Sequence, residues 1–160
     1  SRKGLYMNSE ILVNEISRLI TDVSTIAGNP LQQSKDFDVE YQSQGNHPSK
    51  LPQGKMAVYI FIHNNEILKI GQAGQNSNAR YQSQHYIDFT GKRKNSSTLA
   101  KSLKHDPTFV VGSNIRKWII NNCERVNILI PGRNNKHENK KLLNFIEGLL
   151  QYKYNPRYEG

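Results

Sequence analysis

Cysteine is nearly absent. Cys123 is the single one in 160 residues, so no disulfide within the chain can form and no cysteine pair is available for zinc. A reducing compartment, the cytoplasm, is the expected setting. Long apolar runs are missing too. No window approaches the ~18 apolar residues of a membrane span, and the opening SRKGLYMNSE lacks the apolar run of a signal peptide. Neither a membrane role nor secretion is expected. There is no GxxxxGK[ST] phosphate loop and no HExxH, and the serines have no nucleophile-elbow context. Glu66 and Lys69 form a loose ExxK, not the acid-x-lysine spacing on one strand that many nucleases use. His105-Asp106-Pro107 reads as a helix stop.

Acidic residues are scarce: 13 against 22 basic ones, a net charge of +9. That balance suits a polyanionic partner such as nucleic acid. The basic residues fall mainly in the middle and C-terminal parts, with Lys92, Arg93 and Lys94 forming a short run in a polar loop. Only their collection on one face would mark a binding surface.

The most informative stretch is AVYIFIHNNEILKIGQ, Ala57 to Gln72. Val58, Ile60 and Ile62 alternate with Tyr59, Phe61 and His63, and Leu68 and Ile70 alternate with Ile67, Lys69 and Gly71, so two strands are read. The Asn-rich link between them is turn material. A three-residue loop pairs Ile62 with Leu68, Ile60 with Ile70 and Tyr59 with Gly71. Tyr59, Phe61, Lys69 and Gly71 then share one face, opposite a wholly aliphatic one. A two-residue loop slips the register by one and sends Lys69 to the other face. The apolar pattern favours the odd loop, although an ordinary strand aromatic and a solvated edge lysine would be written the same way.

Asn8 to Val23 reads as an amphipathic helix with Ser9 as N-cap and Ile11, Leu12, Ile16, Leu19, Ile20 and Val23 as its stripe. Ala27 to Lys55 is polar loop with room for a short strand around Phe37–Tyr41. After the hairpin come a short helix from about Ala79 to Tyr86, a helix over Ser97–Lys104, another over Asn114–Asn121, a third strand at Arg125–Ile130, and a long helix over Lys136–Lys153. The expected fold is α/β (α+β): a three-stranded antiparallel sheet flanked by helices, with an N-terminal helical extension.

Two features of the helices bear on chemistry. Glu147 borders the apolar stripe of the last helix, and its helical neighbours Leu143, Asn144, Leu150 and Gln151 include no cation. It needs a partner from elsewhere, a divalent cation or an arginine. Arg80 opens the short helix, where it could grip a phosphate or simply lie on the surface. Tyr81 and His85 are one turn apart on the same helix, rotated about 100° from Arg80 and Gln84.

Val58-Tyr59, Lys69-Ile70-Gly71, then Arg80, then Glu147 ahead of Asn155-Pro156 resemble the GIY-YIG nucleases. NSNARYQSQHY, STLAKSL and the ending NPRYEG are similar to a group of small bacterial proteins of that family. The likeness runs from about Lys55 to Gly160, and divides the chain into an N-terminal helix and polar loop at 1–54 and a nuclease domain at 55–160. Two departures stand out. The second triplet is KIG, a lysine variant that the restriction enzymes of the family share, and the position four after the arginine holds Gln84, with His85 one later. Either an irregular helix end presents His85, or Tyr81 and His85 work as a pair.

The resemblance implies a DNA endonuclease that hydrolyses phosphodiesters with one Mg²⁺ or Mn²⁺ held by Glu147. Tyr59 would take the proton of the attacking water, its pKa lowered by Lys69; Arg80 would stabilise the pentavalent phosphate; His85 would assist. Gly71 would leave room near the phosphate, Tyr81, Lys92, Arg93 and Lys94 would touch DNA, and Asn155 would brace Glu147. A homodimer or a separate partner would supply target choice. The alternative is a nucleic-acid-binding module on the same fold without turnover.

Overall fold

The structure, a computed structural model, describes residues 8–48, 50–87 and 98–158. The first helix, α1 (Ser9–Ile26), is capped by Asn8, whose side chain accepts from the Glu10 and Ile11 amides, rather than by Ser9. It buries Leu12, Ile16 and Ile20, while Ile11 stays half exposed. The strands are β1 (Asp38–Gln42), β2 (Lys55–His63), β3 (Glu66–Ala73) and β4 (Glu124–Pro131). Between β3 and β4 lie α2 (Asn78–Gln82), a 3₁₀ turn (Gln84–Tyr86), α3 (Leu99–His105) and α4 (Ile115–Asn122). The last helix is α5 (Lys136–Tyr154), N-capped by Asn135. No helix among the described residues is long and apolar enough to cross a membrane.

Among the described residues the sheet has four strands, not three, all antiparallel in the order β1-β4-β2-β3. The additional strand is the short one around Phe37–Tyr41. It pairs along β4 because Val39 and Tyr41 pack against the same core as α1, which anchors the strand beside the sheet. Residues on both sides of position 54 therefore share one core.

The hairpin reaches the expected register by a different route. Tyr59 faces Gly71 and Ile60 faces Ile70, but the turn is two residues, Asn64-Asn65, and the register shifts between Phe61 and Ile62. Both asparagines have positive φ, 50° and 63°, the geometry of a tight turn whose twist matches the flanking strands. A bulge then inserts Leu68, which turns from the expected aliphatic face to the aromatic one. Turn and bulge together restore the odd offset, so Lys69 lies opposite Phe61.

Helices cover both faces. On one, α1 and α5 bury Leu12, Ile16, Ile20, Leu143, Ile146 and Leu150 against Val58, Ile60, Ile62, Ile70, Val126 and Ile128. On the other, α2, the 3₁₀ turn, α3 and α4 enclose Tyr59, Phe61 and Leu68 with Tyr81, Tyr86, Leu99, Leu103 and Ile119. Strand β3 is an edge strand, and residues 157 and 158 seal part of it. The amides of Arg157 and Tyr158 donate to the carbonyls of Ile67 and Leu68 at 3.0 and 2.8 Å. Arg157 also binds Asp106 and Glu66, and Tyr158 donates to Asp106. Arg157 and Tyr158 thus latch over the bulged edge.

Candidate active site

Tyr59 lies in the middle of β2 with its ring over Gly71. A Cβ at Gly71 would come within 2.9 Å of the Tyr59 hydroxyl and 3.0 Å of two ring carbons. The room left by glycine is filled by this ring, which corrects the expectation that it is kept for a phosphate. Tyr81 and Phe61 flank the ring edge-on at 6.3 and 5.9 Å.

The helix after β3 does not run unbroken from Ala79 to Tyr86. It stops at Gln82, and Ser83 at φ −131° and ψ −34° breaks it before the 3₁₀ turn. The break aims His85 inward, with Nε2 2.6 Å from the Tyr59 hydroxyl. The Leu99 amide donates to Nδ1 at 3.1 Å. An N–H pointing at Nδ1 makes that nitrogen an acceptor, so the proton sits on Nε2 and His85 donates to Tyr59. His85 is held well below the usual histidine range, first by burial, then by the charges of Arg80, Lys69 and Arg125. Of the two arrangements open for this segment, the irregular helix end is the one adopted. Tyr81 is buried under α2 beneath the guanidinium of Arg125, so it is a core residue and not a contact for DNA.

Tyr59 and Lys69 are expected to share one face of the hairpin, and they do. Both are 0% exposed, because the helices from 78 onward roof this face of the sheet. Burial pushes the Tyr59 phenol up to about 12, with Glu147 adding to the rise; Arg80, beside the hydroxyl, and Arg125 oppose it. The largest positive influences on the phenol are Arg80 and then Arg125. Lys69 itself is lowered to about 8, by burial and by Arg80, against the pull of Glu147.

Glu147 is half-buried and turned toward β3. Gln72 Nε2 donates to its Oε1 at 3.2 Å and to Asn144 Oδ1, one turn earlier on α5, at 2.9 Å. The carboxylate thus stands at the edge of the hairpin, within electrostatic reach of Tyr59 and Lys69. Among the described residues no group of three or more His, Cys, Asp or Glu side chains could hold a metal ion. A zinc site needs such a group; a magnesium ion keeps several waters and takes one or two protein oxygens. Glu147 and the adjacent Asn144 oxygen fit that smaller demand.

Asn155 ends α5 as its C-cap at φ 46°, exposed, its amide bonded to the Gln151 carbonyl. Eight residues along a helix is about 12 Å, so it does not brace Glu147. Gln72 holds that position instead. Lys92, Arg93 and Lys94 lie outside the described residues.

Gln72, Asn144 and Arg125 were missed. Arg125 and Asn127 alternate with Val126 and Ile128, which reads as a wet face, yet both are 0% exposed. The signal was their register opposite Phe61 and Tyr59 in a sheet with too many helices to leave one face open. A cleft of about 320 Å³ between the end of α1 and the start of α5, lined by Leu31, Arg133, Glu138 and Phe145 among others, lies apart from all these groups.

No family model matches this chain, and no curated protein or solved structure matches it either. The likeness to the GIY-YIG nucleases rests on the residues named above.

Proposed function

We propose that the chain is a metal-dependent DNA endonuclease of the GIY-YIG type, acting at the β3 edge of the sheet. The observation that carries this reading is a convergence. Tyr59, Lys69, Arg80, His85 and Glu147 come from two strands, a helix, a turn and a second helix, and each acts on another by hydrogen bond or by charge.

In this reading Arg80, half-exposed and beside the phenol, takes the scissile phosphate and stabilises the charge of its pentavalent transition state. As it moves onto the phosphate it uncovers Tyr59, which first releases its own proton to solvent and then, as the phenolate, accepts the proton of the attacking water. His85 donates Nε2–H to the Tyr59 oxygen and so favours its anionic form. Glu147, with Asn144 beside it, would hold Mg²⁺ or Mn²⁺; when bound, the ion supplies charge neutralisation at the phosphate and the leaving 3′-oxygen. Gln72 orients the carboxylate. DNA is the proposed partner, with target choice left to a homodimer or a separate partner.

One observation favours the second reading, a nucleic-acid-binding module without turnover. Tyr59 is wholly covered, and a phenol held at about 12 is a poor base at neutral pH. Incubating supercoiled plasmid with the protein, with and without Mg²⁺, separates the two. Nicking that needs Mg²⁺ and disappears in Glu147→Ala, while that variant still shifts DNA on a gel, supports the nuclease. Full cleavage by Glu147→Ala, or none by the wild type, ends it.

A further inference from the structure

Arg125 projects from β4 on the same face as Tyr59, opposite Phe61 on β2 and Gln42 on β1. It is the largest fully buried side chain of the described residues. Its guanidinium carbon lies 4.4 Å from the centroid of the Tyr81 ring, 4.7 Å from Tyr59 and 5.0 Å from Phe61. Nε donates to Asn127 Oδ1 at 2.7 Å and Nη1 to the Tyr86 hydroxyl at 3.0 Å. Nη2 is buried with no hydrogen-bond partner.

These neighbours do not neutralise the charge. Asn127 stands between Arg125 and Glu40, taking Nε–H on its oxygen and donating to Glu40 with its amide at 3.3 Å. Tyr86 accepts Nη1–H and donates its own O–H to His47 Nδ1, because His47 Nε2 donates to the Cys123 carbonyl at 2.7 Å. Aromatic faces are what the guanidinium has in place of a carboxylate. A buried charge held in this way is a poor device for stability, and an apolar side chain of similar volume would serve packing better. Of the three caging rings, Tyr59 is the one whose hydroxyl meets His85 and Arg80.

We infer that Arg125 is a positioning residue for Tyr59: a fixed positive charge behind the ring that favours the phenolate when the phenol surrenders its proton. This rests on the reading in which Tyr59 ionises. The charged and titratable groups around Tyr59 are Arg80 and Tyr81 from α2, His85 from the 3₁₀ turn, Lys69 from β3, Glu147 from α5 and Arg125 from β4. His85 is neutral, and Glu147 acts against ionisation. Arg80 is half-exposed and leaves for the phosphate in the proposed reaction; Arg125, enclosed, stays.

The test replaces Tyr59 by 3,5-difluorotyrosine, whose ring fluorines acidify the phenol into an accessible range, and follows its titration by ¹⁹F NMR. Arg125→Gln should raise the apparent pKa by about one unit, roughly tenfold less phenolate at a given pH, and Arg125→Lys should restore at least half of the shift. An unchanged pKa in Arg125→Gln overturns the inference. Should Arg125→Gln fail to fold, the ¹⁵Nη resonances of Arg125 in the otherwise wild-type chain should move with the titration at position 59; resonances that ignore it overturn the inference equally. Plasmid cleavage separates the two proposals. A shifted pKa in a protein that cuts no DNA leaves Arg125 as inferred and removes the nuclease. Cleavage with an identical pH–rate profile in Arg125→Gln removes the inference alone.

Discussion

His85 donates to Tyr59 and not the reverse, because the Leu99 amide occupies the other ring nitrogen. A proton added to Nδ1 would face that N–H, so the imidazolium is excluded by geometry as well as by burial. His85 should therefore stay neutral, protonated on Nε2, as pH falls through about 6.5, where an exposed histidine titrates. Long-range ¹H–¹⁵N spectra check this; a His85 that titrates with the exposed histidines refutes it. The stability consequence has a definite sign. The unfolded chain binds a proton at this residue below about 6.5 and the native state does not, so stability falls as pH drops below that value. The fall should be shallower in His85→Gln.

Gly71→Ala tests the contact beneath Tyr59. The added methyl meets a ring already hemmed in by Phe61, Tyr81 and His85. Overpacking of this kind costs about 1–3 kcal/mol, to be read from urea unfolding. In the proposed reaction cleavage should fall as well, since the displaced hydroxyl loses its alignment with His85. A neutral substitution would mean that the ring has room to move.

Lys69 should titrate near pH 8 rather than 10.5. Between those values the unfolded chain holds more protons than the native state, so stability rises with pH across the interval. At pH 7 both states are protonated and the cost of burying the charge is present in full. Lys69→Met should accordingly raise stability more at pH 7 than at pH 10, which denaturant midpoints at the two pH values will show. An equal effect at both would place the ammonium in water.

If the chain cleaves DNA as proposed, Arg80→Ala should act on both binding and turnover. Losing one phosphate contact lowers the slope of log K against log salt by about 0.9 for duplex DNA. Losing the charge at the transition state lowers the cleavage rate by about 10²–10³. An unchanged salt slope would show that Arg80 does not touch the phosphate.

Alternation along residues 57–72 was enough to choose the face that Tyr59, Phe61 and Lys69 share, but not the route to it: the apolar pattern favours a three-residue loop, and a two-residue turn with a bulge at Leu68 sets the register. The apolar spacing of α1 and α5 was enough to place both helices, and to put Glu147 at the border of its stripe. Periodicity says which residues share a face; it carries no record of what lies on top. The roof over Tyr59 comes from residues some 20 to 60 positions further along, and only their packing buries the face that Tyr59 and Lys69 share. The same cover enclosed Arg125, and the break at Ser83 delivered His85 to the phenol. Those outcomes depend on contacts between distant segments, and such contacts exist only once the chain has folded.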